Sequence, residues 1–161
     1  MALVIEAPNE IFNIENSKNI KLFLAGGITN CSDWQSEMIE KLKFMPKLSI
    51  YNPRRKNYPI DDVKVNEEQI TWEYVHLQNA DIILFWFAKG SLNPTVLYEL
   101  GMWGNSRPGR PIIVGIDPGY ERKKDVEIQT LLANKQDFKF TSSLDDIAES
   151  IKGFVTNVQK T

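Results

Sequence analysis

Apolar positions along the chain gather into short runs separated by polar stretches, and the spacing inside each run distinguishes strand from helix. Leu3 to Ala7 is a first short run, and a polar loop through Asn19 follows it. Ile20 to Ala25 then reads as a core strand stopped by Gly26-Gly27. Leu48 to Tyr51, Ile82 to Phe87 and Pro111 to Ile116 are further strands, and Phe138 to Phe140 a short one. The Ile82 to Phe87 run is apolar at every position, which fits a parallel strand covered on both faces, so it is predicted to be central.

Helical spacing fills the gaps. Ser32-Asp33-Trp34-Gln35 has the capping-box spacing, and Trp34, Met38, Ile39 and Leu42 continue a stripe that Pro46 ends. A polar loop from Asn52 to Val65 holds Arg54, Arg55 and Lys56, and a second helix runs from about Asn66 to Asn79. Asn93-Pro94 reads as a cap followed by proline at the first helical position, predicting a third helix from Pro94 to about Asn105. A turn at Asp117-Pro118-Gly119, a helix near Asp125 to Ala133 and a last helix with Leu144, Ile147, Ile151, Phe154 and Val158 on one side complete the chain.

Strand and helix alternate throughout. That order predicts an α/β fold, doubly wound, with a mainly parallel five-stranded sheet, helices on both faces and right-handed crossovers. A ligand crevice then belongs at the carboxyl ends of the strands, in the loops after Ala25, Tyr51, Phe87 and Ile116. No repeat, low-complexity segment or long linker divides residues 1–161, so a single domain is expected.

Composition narrows the function classes. The chain is 42% hydrophobic and 25% charged with a formal net charge of -2, and it has no Lys/Arg block with which to neutralise a nucleic-acid backbone. A nucleic-acid polymer is therefore not an expected partner, whereas single nucleosides or nucleotides are. No run approaches the roughly 20 apolar residues of a bilayer span, and the first residues lack the basic flank and cleavage site of a secretory signal. One cysteine, Cys31, forms no internal disulfide, in keeping with a reducing compartment, so a cytoplasmic location is expected with no membrane partner. No cluster of His, Cys and acidic residues resembles a metal site, and none is expected.

Two carboxylates interrupt the helical pattern. Ile70, Glu73, Tyr74 and Leu77 are spaced to share one face, which places Glu73 among residues expected to pack on the sheet. No lysine or arginine lies three or four residues from it on that helix, so its charge must meet a distant partner, a ligand or water at the edge of the stripe. Glu99, between Val96 and Trp103, repeats the anomaly, with Gly101 and Gly104 leaving a neighbouring side bare. The two helices border the Phe87 strand, so the acids can converge on one pocket. Paired carboxyl groups in different environments suit cleavage at a sugar carbon, one ionised to attack and one protonated to assist departure. An N-glycosidic bond poses the same problem, because positive charge builds on the ring carbon and negative charge on the leaving base.

The stretch Gln69-Ile70, Trp72-Glu73, Leu77, Ala80-Asp81, Phe85-Trp86-Phe87 and Leu97-Tyr98-Glu99-Leu100-Gly101 resembles the nucleoside 2-deoxyribosyltransferase-like family. Phe23 to Gly27, Asp33-Trp34-Gln35, Asn52-Pro53-Arg54-Arg55, Val114-Gly115 and Tyr120 to Val126 agree with one subgroup, and together these pieces cover roughly Leu3 to Gln129. The resemblance implies a flavodoxin-like sheet and a homo-oligomer in which a neighbouring subunit completes the pocket. It also implies a glutamate nucleophile in a Tyr-Glu-Leu-Gly setting, which is Glu99 here. A second acid eight residues before the Ala-Asp aspartate falls on Glu73, where family members commonly have aspartate. By the same carry-over Gly26, Gly27 and Ile28 approach the sugar, and Asn52 with Arg54 or Arg55 contacts base or phosphate. Related deoxynucleotide N-hydrolases hold a 5′-phosphate through a serine before the nucleophile; Asn93 sits nearest that position and Ser91 two residues earlier.

The implied activity is transfer of a sugar from one base to another through a glycosyl-glutamate, with hydrolysis of a nucleoside or its 5′-monophosphate as the alternative if water takes the sugar. A non-catalytic nucleotide-binding domain and a flavin-binding scaffold are the rivals. Gly26-Gly27-Ile28-Thr29 is neither a P-loop nor a dinucleotide fingerprint, and no cofactor is expected. Trp72, Trp86 and Phe87 are candidates to stack on a base, and Tyr98 and Tyr120 to bond the sugar or the nucleophile, with core packing the competing role for the rings. His76 is assigned to packing or surface, and Cys31 lacks a histidine at any motif spacing.

Overall fold

β2 (Ile20–Gly26), β3 (Leu48–Asn52), β4 (Ile82–Phe87) and β5 (Ile112–Ile116) join β1 (Leu3–Glu6) in one sheet of order β1-β3-β2-β4-β5, every neighbouring pair parallel. This computed structural model describes residues 1–9, 18–56, 62–134 and 138–158, so parts of the loops before β2 and after β3 lie outside the described residues. The order of β3, β2, β4 and β5 is that of a flavodoxin-like sheet. β1 extends it at one edge. At the other edge Phe138–Phe140 forms no strand; the pairing is reduced to a single bridge between Thr141 and Gly115, with Ile116 N–H donating to the Thr141 carbonyl at 2.8 Å. Five strands result, as expected, but β1 takes the fifth place.

Side-chain alternation along the strands feeds two cores. Leu22, Leu24, Leu84 and Trp86 point to the face covered by α1 (Trp34–Leu42) and α5 (Leu144–Val158), where Trp34, Met38, Ile147 and Ile151 meet them. Phe23, Ile83, Phe85 and Phe87 point to the opposite face, covered by α2 (Val63–Asn79), α3 (Pro94–Trp103) and α4 (Lys123–Asn134) through Trp72, Leu77, Val96 and Val126. Each fully buried leucine or phenylalanine contributes about 1.5–3 kcal/mol of transfer energy, so burial on both faces is what fixes the register.

Several local expectations are corrected. α1 is capped by Asp33, whose carboxylate accepts from the Ser36 N–H at 3.1 Å, and not by Ser32. α2 begins at Val63 because Asp62 accepts from the N–H groups of Lys64 and Val65. Its inward face is Gln69, Trp72 and Leu77, while Ile70 and Tyr74 are 65% and 49% exposed; the stripe is rotated from the one the apolar spacing suggested. Arg110, buried just before β5, donates to the carbonyls of Leu77 at 2.9 Å and Trp103 at 3.1 Å, joining the last turns of α2 and α3. Among the described residues no helix is long and apolar enough to cross a membrane.

Candidate active site

The winding direction changes between β2 and β4, where β3 lies to one side of β2 and β4 to the other. A crevice opens there at the carboxyl ends of the strands. It holds a cavity of about 470 Å³, within the range of small-ligand sites. Gly26 to Thr29 after β2, Pro53 and Arg55 after β3, Ser91 and Asn93 after β4, Gln69 and Glu73 from α2 and Glu99 from α3 line it.

The β2 loop is held open from behind. The Gly27 carbonyl accepts from the Trp34 indole N–H at 3.0 Å and from Gln35 Nε2 at 3.3 Å, which ties the loop to the start of α1. A Cβ on Gly27 would overlap Asn93 Oδ1, so only glycine allows the two loops to approach this closely. Asn93 stands at the N-cap of α3 with a left-handed backbone at φ 51°, but its side chain makes no capping bond. Its amide instead donates to the carbonyls of Ala88 and Ser91 at 3.4 and 3.1 Å, shaping the β4–α3 loop. Tyr120 adds a brace, its hydroxyl donating to the Leu92 carbonyl at 2.8 Å. With Pro94 at N1 and no side-chain cap, the positive end of α3 is left at the cavity wall.

The electrostatics of the acids are unusual. Burial pushes Glu99 up to about 8, and the neighbouring charge of Glu73 adds to the effect. Burial also raises Glu73, opposed by a hydrogen bond of 2.7 Å from Gln69 Nε2. Burial therefore favours the protonated form of both acids, and holds Glu99 protonated up to about pH 8. Among the described residues, Arg55 is the one cation lining the cavity, and it pairs with Glu68 at 3.2 Å.

The structure brings Gly26, Gly27, Ile28, Arg55, Glu73, Asn93 and Glu99 to this cavity, and leaves other candidates outside its lining. Asn52 is buried at the end of β3, where its Oδ1 accepts from the Arg54 N–H at 3.1 Å and sets the turn. Arg54 reaches back to Gln35, Asp33 and the Ser32 carbonyl at 2.9, 3.1 and 3.1 Å, so its charge secures α1. Trp86 packs beside Trp34 on the α1/α5 face, and Phe87 is buried against Tyr120. Tyr98 stands 69% exposed on the outside of α3. His76 stacks on Trp72 at 3.9 Å between the rings, a packing role. Cys31 meets Arg54 Nη2 at 3.9 Å, and burial raises its thiol.

Sequence reasoning placed Gln69 in the resembling stretch but gave it no role; it is a 6%-exposed amide in direct contact with Glu73. Its position four residues before an acid on the same helix was the available signal. Among the described residues no group of three or more His, Cys, Asp or Glu is gathered as metal ligands would be.

A family model described as "Nucleoside 2-deoxyribosyltransferase like" matches residues 19–120, a span that includes both acids and every loop lining the cavity. No curated protein matches the sequence. A solved structure, the crystal structure of conserved protein from Enterococcus faecalis V583, superposes with a TM-score of 0.58 at 16% identity, covering 84% of this chain and 99% of that one. At that identity the likeness is one of fold.

Proposed function

The chain belongs to the nucleoside 2-deoxyribosyltransferase-like family, and from that premise we propose that it cleaves the N-glycosidic bond of a nucleoside or deoxynucleoside and passes the sugar to another base. The observation that carries this reading is the convergence of Glu73 and Glu99, from two helices, on one cavity at the change of winding direction. A Glu99 oxygen bonds to C1′ as the bond from C1′ to the base nitrogen breaks, and the base takes a proton from Glu73 or from a bound water. The products of this half are a glycosyl ester on Glu99, a free base and, where Glu73 is the donor, an ionised Glu73. An acceptor base then gives its proton to Glu73 and bonds to C1′, releasing the Glu99 carboxylate. With water as acceptor the same steps are a hydrolysis.

Burial favours the protonated form of Glu99, so attack requires that proton to shift away from it first. Positive charge developing at C1′ favours the ionised Glu99 and drives this shift. Gly26, Gly27 and Ile28 are assigned to the sugar, and Arg55 and Asn93 to the groups at the cavity rim.

The same reading includes a homo-oligomer with shared sites. Tyr98, Gly101 and Met102 form an exposed, uncharged outer face on α3, and Tyr74 of α2 touches Trp103 beside it. Ile70 lines the cavity and is exposed, so a second copy seated over it would cover part of the cavity wall.

Intact-protein mass after brief exposure to 2′-fluoro nucleosides tests the reading. A sugar adduct on the wild type that is absent from Glu99→Ala is expected, and incubation with and without a free acceptor base separates transfer from hydrolysis by product. A nucleotide-binding domain without turnover would give no adduct and no free base.

A further inference from the structure

Gln69 is a buried amide with no role in the scheme above, and its contacts are one-sided. Its Nε2 donates to the Pro53 carbonyl at 2.8 Å and to Glu73 Oε1 at 2.7 Å, while its own Oε1 is buried with no hydrogen-bond partner among the described residues. Both neighbours of the nitrogen are acceptors, so turning the amide over would set oxygen against two oxygens. Its orientation is thus determined by the contacts themselves. A buried acceptor without a donor is unfavourable, and the fold tolerates it to keep both N–H groups engaged.

The consequence falls on Glu73. The carbonyl oxygen of a protonated carboxyl is its better acceptor, so the contact from Gln69 to Oε1 favours placing a proton of Glu73 on Oε2. Pro53 belongs to the segment after β3 and Gln69 to α2, so the contact also locks the helix turn bearing Glu73 to the cavity wall. Among the described residues, the other charged groups lining the cavity are Glu99 on α3 and Arg55 after β3.

We propose that Gln69 is a positioning residue that reserves Oε2 of Glu73 for the proton exchanged with the leaving and incoming bases. The inference rests on the glycosyl-transfer reading and extends it to a residue that touches no reacting atom. Removing the donor leaves both Glu73 oxygens free to hold the proton and removes a contact favouring the ionised form, so the carboxyl should titrate higher.

The test pairs kinetics with a titration that needs no turnover. Gln69→Met keeps the length of the side chain without the donor, and Gln69→Glu keeps its shape without a permanent donor. The expected result for both is a kcat reduced about tenfold at little change in KM, with the limb of the kcat profile that reports Glu73 displaced upward by about one pH unit. Carboxyl-carbon NMR of the same proteins should show the Glu73 resonance displaced in the same sense. In the unmodified protein, the Gln69 side-chain amide resonance should titrate together with the Glu73 carboxyl, a readout independent of whether the variants fold. A profile that superimposes on wild type, or a uniform loss at every pH, overturns the proposal, as does an amide resonance indifferent to Glu73. A wild type that turns over no nucleoside overturns the glycosyl-transfer reading instead, and the titration then still decides whether Gln69 controls Glu73.

Discussion

Replacing Glu99 by glutamine, which keeps the shape of the neutral acid and removes its ionisation, should make the protein more stable as pH rises. Burial, reinforced by the charge of Glu73, takes the carboxyl from 4.5 to about 8. The folded chain therefore holds a proton that the unfolded chain releases. Below 4.5 both states are protonated and nothing is lost; between 4.5 and about 8 stability falls as pH increases, and above that it levels off. At about 1.4 kcal/mol per pH unit, the penalty is roughly 3 kcal/mol at pH 7 and on the order of 4–5 kcal/mol above pH 8. Glu99→Gln removes it. Urea titrations or melting curves of both proteins from pH 4.5 to 9 measure the effect. The two should coincide near the acid end and diverge by roughly 6–12 °C in Tm at pH 7, the variant being the more stable, for a domain of this size. Parallel curves across the range would show that the Glu99 carboxyl is solvated, and the reasoning about the site would fail with it.

Gly27→Ala should lower stability by about 1–3 kcal/mol in urea titrations, because the new methyl overlaps an Asn93 amide pinned by two carbonyls. The glycosyl adduct should be lost even where the protein stays folded, since the two loops that meet there form the cavity wall. Met102→Asp places a charge on the uncharged outer face of α3 and should dissociate the assembly to monomers by light scattering, with little change in melting temperature at low concentration.

Much of the fold was readable because strands buried on both faces are continuous apolar runs, and glycine or proline stopped most of them. The two acids were readable for the opposite reason: a charge within an apolar rhythm is a conflict that packing alone does not resolve. The same rhythm misled in detail. On α2 a glutamine and not an isoleucine turns inward, so the stripe through Ile70 and Tyr74 was the wrong side of the helix. A run apolar at every position carries no alternation, which is why the assignment of Trp86 and Phe87 to opposite faces was invisible. Arg54 and Arg55 are neighbours in an irregular loop, where no periodicity distinguishes the one that ties down α1 from the one that lines the cavity. Phe138–Phe140 has strand composition, but only Thr141 pairs with β5.

The guanidinium of Arg110 grips the carbonyls of Leu77 and Trp103, each four residues beyond one of the two acids, about a single helical turn of 5.4 Å. The gap between the carboxylates is thereby gauged from the rear of the molecule, by a side chain that never meets a ligand. Lesions at this arginine would mimic damage to the chemistry itself, and a survey of the pocket would not reveal their cause.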